Sequence, residues 1–112
     1  MILTTQKGRT LSVVISVEDA DGEPYTLESG DKIRLGVRNV SGGSKLIYKE
    51  LTSEDEVDGE YSLTLTPENT NIAVGRYLYD VSLQLSSGEL YDILPVDYFM
   101  VKDAVTFKGD SA

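Results

Sequence analysis

Residues 60–85 hold two strictly alternating patterns joined by a corner that contains Pro67, Asn69, Asn71 and Gly75. Tyr61, Leu63 and Leu65 alternate with Ser62, Thr64 and Thr66; Tyr77, Tyr79, Val81, Leu83 and Leu85 then alternate with Leu78, Asp80, Ser82 and Gln84. A period of two gives each strand one buried and one wet face. The corner between Pro67 and Gly75 is expected to carry the chain from one sheet to another. Tyr77, just after it, stands where Ig-like sandwiches place a tyrosine whose hydroxyl bonds back to upstream backbone. Tyr77 therefore reads as an architectural clamp rather than a functional residue.

The same period recurs elsewhere. Residues 10–18 place Leu11, Val13, Ile15 and Val17 on one face, with Val14 among the polar residues of the other. Residues 32–39 set Ile33, Leu35 and Val37 inward and Lys32, Arg34 and Arg38 outward. Shorter strands are expected at 2–5, 46–51, 89–94, 96–101 and 104–107. Turn-forming residues separate them: Asp19, Asp21 and Gly22; Gly42 and Gly43; Ser86, Ser87 and Gly88. The acidic segment 53–59 reads as a loop. Pro95 cannot donate to a ladder, so it marks a strand end, a bulge or an edge. Thr66 is placed to cap a helical turn opening at Pro67. Seven to nine short strands at this spacing predict an all-β, Ig-like antiparallel sandwich, a single domain over residues 1–112.

Composition narrows the chemistry. The 112 residues include neither Cys nor His, which removes thiol catalysis, Cys/His zinc sites and imidazole acid–base chemistry. Nineteen acidic residues against ten basic ones give a formal charge of −9, which repels nucleic acid and anionic lipid. The first ten residues lack the basic region and long apolar run of a signal peptide, so a soluble product that begins in the cytoplasm is expected. Asp19, Asp21 and Glu23 loosely resemble the start of a calcium loop, but strands rather than helices flank them, so a solvated turn is expected there. Asp55, Glu56, Asp58 and Glu60 offer at most weak cation binding by the same reasoning. A carboxylate-based hydrolase would need two acids facing one cleft, and no spacing singles out a pair. No catalytic residue, cofactor or metal is assigned, and a non-enzymatic role follows.

Seven tyrosines outnumber the two phenylalanines. Tyr61, Tyr77 and Tyr79 share a face with aliphatics and belong to the core. Val14, Leu78, Tyr48, Tyr91 and Tyr98 fall on nominally outward positions and are the candidate interface, since several outward apolar residues together signal a partner. The alternative is a carbohydrate-binding or adhesion module that uses Tyr25, Tyr48 and Tyr91 in loops, because a flat ring with a polar tip suits sugars.

Taken as a set, three elements resemble the N-terminal domain of phage baseplate upper proteins. They are the acidic turn Asp21-Gly22 leading to Tyr25; Gly30-Asp31-Lys32-Ile33; and Leu65-Thr66-Pro67-Glu68-x-Thr70 followed by Gly75-x-Tyr77-x-Tyr79-Asp80. The similarity runs over residues 10–101. It implies a virion structural protein of a phage or prophage tail or baseplate, assembled in the bacterial host cytoplasm. Such a protein would work by self-association or by docking to neighbouring tail proteins. Family members continue into a helical or receptor-facing region, so this chain resembles the anchoring domain alone. Residues 2–5 and 96–101 are the expected sheet edges available to a neighbour.

Overall fold

The computed structural model describes residues 1–103, which form eight strands in two sheets packed as an Ig-like sandwich. The larger sheet has the order β1 (Leu3–Gln6), β8 (Leu90–Lys102), β7 (Gly75–Gln84), β3 (Lys32–Asn39), β4 (Ile47–Thr52). The smaller has the order β2 (Leu11–Ile15), β6 (Glu60–Leu65), β5 (Glu56–Val57). The alternation written in the sequence sets the faces: Ile33, Leu35 and Val37 of β3 and Tyr79, Val81 and Leu83 of β7 bury against Tyr61, Leu63 and Leu65 of β6. Tyr79 and Phe99 meet edge to face, with centroids 6.5 Å apart.

The 67–75 corner crosses between the sheets, as its sequence predicts. Asn69 Oδ1 accepts from the Thr66 backbone N–H at 2.9 Å, and Thr66 Oγ1 accepts from the Asn69 N–H at 3.3 Å. This reciprocal pair holds the single turn that begins at Pro67. The fully buried Thr70 then donates its hydroxyl to the Arg9 carbonyl at 2.7 Å, tying the corner to the β1–β2 connection. Tyr77 donates to the Ala73 carbonyl at 2.5 Å, closing the clamp. Tyr77→Phe is expected to cost about 1 kcal/mol, the net worth of one such bond, read as a lower urea midpoint at unchanged slope.

Four sequence expectations are corrected. Segment 53–59 is no simple loop: Thr52 and Asp55 cap a 3₁₀ turn, Ser53–Asp55, and β5 then forms a tight hairpin with β6 through Asp58 and Gly59. Both hairpin residues have positive φ, 53° and 80°, the backbone form that two-residue hairpins require. The segments at 89–94 and 96–101 merge into the thirteen-residue β8, with Pro95 absorbed where the register with β7 shifts. The sheets are not wholly antiparallel, because β1 pairs parallel to β8, with Leu3 opposite Phe99. β1 is an edge, as read from residues 2–5, but residues 99–102 are interior, between β1 and β7. The expected strand at 104–107 lies outside the described residues.

Candidate functional site

The outer face of the five-stranded sheet brings together three of the five apolar positions singled out in the sequence. Gly36 of β3 lies opposite Tyr48 of β4 and Asp80 of β7; Arg38 lies opposite Leu78, and Leu78 opposite Tyr98. Tyr48 and Tyr98 are exposed, as is Val96 close by, and Leu78 is half-buried. Cations cover the rings. Lys45 Nζ stands 4.4 Å from the Tyr48 centroid and Arg34 Cζ 5.6 Å from it, while Arg76 Cζ is 5.3 Å from that of Tyr98. Arg34 Nε also donates to the Tyr48 hydroxyl at 2.8 Å, and that hydroxyl donates to Glu50 at 2.9 Å. With Lys32 and Arg38, five of the ten Lys and Arg residues occupy this one face of an acidic protein.

Gly36 leaves a notch of about 80 Å³ in that face, lined by Arg38, Lys45, Leu78, Asp80 and Val96. A side chain at Gly36 would begin to fill it, since a methyl there would lie 3.8 Å from Lys45 Cδ. The face therefore combines flat aromatic area, cationic donors and one recess.

The other two candidates lie elsewhere. Val14 is exposed on the outer face of the three-stranded sheet, opposite Ser62 and next to the hydroxyl pair Ser12–Thr64. Tyr91 lies opposite Leu83, on the core side of the large sheet, at the mouth of the sandwich. Three strands do not cover five, and a groove of about 590 Å³ opens there between residues 16–20 and Leu83, Leu85, Tyr91, Asp92 and Ile93.

Tyr25 lines the same groove but is committed. Its hydroxyl donates to Asp31 Oδ2 at 2.7 Å, and the buried Asp31 carboxylate also accepts the backbone N–H groups of Glu28 and Ser86, each at 2.9 Å. Burial pushes the Asp31 carboxyl upward, but these hydrogen bonds outweigh it and hold the group below its ordinary pKa. The bond to that carboxylate, reinforced by burial, pushes the Tyr25 phenol up to about 12. Among the described residues Asp31 is the one buried carboxylate, and its acceptor sites are taken by three donors. Asp19 caps its own turn by accepting the N–H groups of Asp21 and Glu23.

The tyrosines of the sugar-binding alternative are thus divided: Tyr25 and Tyr91 border the groove, and Tyr48 stands on the outer sheet face. Sequence reasoning found Lys32, Arg34 and Arg38 as outward positions but missed Lys45 and Arg76, which join them only through strand order. It also missed the groove. Leu85, the last inward position of the 77–85 alternation, and Ile93 were the available signal, but nothing local showed that the smaller sheet would leave them uncovered.

No family model matches the chain, and no curated protein matches it. Among solved structures, one of murine CRIg is similar over 92% of each chain, with a TM-score of 0.41 and 10% sequence identity.

Proposed function

We propose that this chain is a non-enzymatic structural module of a phage or prophage tail or baseplate, one that docks onto neighbouring tail proteins and resides in the virion after assembly in the host cytoplasm. The observation that carries the docking element is the gathering of Tyr48, Leu78 and Tyr98 with five cations on one sheet face. The tail element is supported by the motif set from Asp21-Gly22 to Tyr79-Asp80, whose spacing resembles the baseplate upper protein N-terminal domain. The complementary partner surface is acidic, on a neighbouring tail protein or on another copy of the chain.

The test is made on purified particles. The chain is expected there at a fixed ratio to the major tail protein. The double variant Arg38→Glu, Arg76→Glu should be lost from particles while its unfolding free energy stays within about 0.5 kcal/mol of wild type, since both residues are exposed. Particles devoid of the wild-type chain would overturn the reading. A second reading, glycan binding, has one observation in its favour: exposed Tyr91 stands beside Asp92 in the groove. It expects a glycan-array signal that Tyr91→Ala abolishes.

A further inference from the structure

The groove at the mouth of the sandwich has the form of a missing strand position. Residues 16–19 continue β2 as far as the turn at Ala20, and β2 is the edge of its sheet. On one side this continuation is paired: Tyr25 N–H donates to the Val17 carbonyl and Asp19 N–H to the Glu23 carbonyl, both at 2.8 Å. Successive residues of an extended chain aim their backbone groups to opposite sides. Ser16 and Glu18 therefore turn theirs away from that pairing, and no described residue bonds to them. The stretch from Leu11 to Val17 has no charge and no proline, and β2 pairs with β6 without a bulge, so along it the edge is unguarded; Glu18 and Asp19 place acidic charge only at its end. By contrast, the open half of β8 carries Asp92, Pro95 and two register shifts, and edge strand β4 carries Lys49 opposite core residue Leu35.

The floor of the groove is apolar, formed by Val17, Leu83, Leu85 and Ile93. Its rim is acidic, formed by Glu18, Asp19 and Asp92, none of which has an ion-pair partner among the described residues. Four extended residues span about 13 Å, the reach of segment 16–19 before the chain turns at Ala20.

We infer that the groove receives an extended segment of a partner protein, alternately apolar and basic, added as a strand beside residues 16–19. Its backbone pairs with Ser16 and Glu18, its apolar side chains enter the floor, and its Lys or Arg residues meet the acidic rim. A second copy of this chain is the poorer occupant, because two acidic mouths on molecules of charge −9 repel each other. The assignment of that partner to a tail rests on the function proposed above; the groove chemistry does not.

The probe is the pentapeptide acetyl-Lys-Val-Lys-Val-Lys-amide, titrated into the ¹⁵N-labelled full chain and followed by NMR. Saturable amide shifts confined to residues 16–20, 83–85 and 91–93 are expected. Affinity should fall about fivefold or more in Asp92→Lys, which reverses a rim charge at an exposed position. Replacing the valines by serine, or the lysines by glutamate, should each weaken binding by about tenfold or more.

No shifts at these amides, or equal binding of the serine peptide, would overturn the inference. So would concentration-dependent shifts at the groove without peptide, which would identify a second copy as its occupant, or displacement of the peptide by chito-oligosaccharide, which would identify a glycan site. The two proposals fail separately. A chain found in particles whose groove ignores the peptide leaves docking by the outer face intact, and a peptide-binding chain absent from particles leaves only the groove.

Discussion

Replacing Asp31 with alanine is expected to remove about 3–5 kcal/mol from the unfolding free energy, a large share of what a domain of this size holds. The carboxylate is 2% exposed and takes three donors, from Tyr25, Glu28 and Ser86. The alanine variant leaves those donors without their shared acceptor at a partly buried site, and each orphaned donor carries its own desolvation cost. Urea unfolding at neutral pH measures the loss. The geometry that brings Ser86 in depends on Gly30, whose φ is +93° and where an added Cβ would sit 2.9 Å from the Ser86 Cβ. Gly30→Ala should thus damage the same junction from the other side.

The pH dependence distinguishes this cause from lost packing. In the folded chain the Asp31 pKa lies below its unfolded value of about 4, so its contribution is complete above that value and is lost as the pH falls through the folded pKa. Wild type should lose stability on acidification below about pH 4, and Asp31→Ala should show a shallower slope there. Tyr25 acts at the opposite end. Its folded pKa is raised to about 12, so the stability it contributes is complete below the ordinary tyrosine value and is lost as the pH rises towards 12. Tyr25→Phe should flatten that alkaline limb.

Tyr61 gives the second large effect. Its ring is fully buried in β6, and its hydroxyl accepts from the Leu27 N–H at 2.9 Å. Tyr61→Ala is expected to cost about 3–5 kcal/mol, because a cavity replaces an aromatic ring in a core that cannot collapse around it. Tyr61→Phe keeps the ring but strands the Leu27 N–H, at about 1–3 kcal/mol. A difference between the two variants of less than about 1 kcal/mol would mean that the hydrogen bond, not the packing, is what Tyr61 contributes.

The parts of the fold that were legible in the sequence are those governed by period two and by local chemistry. Leu63, Leu35 and Val81 declare their faces by alternation, and Thr66, Pro67 and Tyr77 declare a corner because the partners that satisfy them are within a few residues. What could not be read depends on lateral order. Nothing local to residues 99–102 reveals that β1 will lie parallel beside them. Pro95 admitted three readings, and only pairing with β7 selects the bulge. The same limit explains the candidate surfaces. Leu78 and Tyr98 form a patch because β7 and β8 are neighbours, whereas Val14 and Tyr91, equally outward by their local pattern, end on a different sheet and at the mouth. Asp31 was visible as part of a motif, but its role as a three-donor junction required Ser86, 55 residues away, to arrive beside it.

Lys32, Arg34, Arg38, Lys45 and Arg76 lie on one face, where Glu50 and Asp80 offset only part of their charge, so this face is less negative than the chain's average charge. Near a negatively charged surface, the protein as a whole is repelled, and that face least. Approach through the outer sheet is therefore the least repulsive orientation. On a cation-exchange column the chain should be retained longer than a uniformly charged protein of the same net charge, and low salt should accentuate the difference. A partner with an acidic seat would meet this chain with its outer sheet already turned toward it, so that orientation is selected before contact is made.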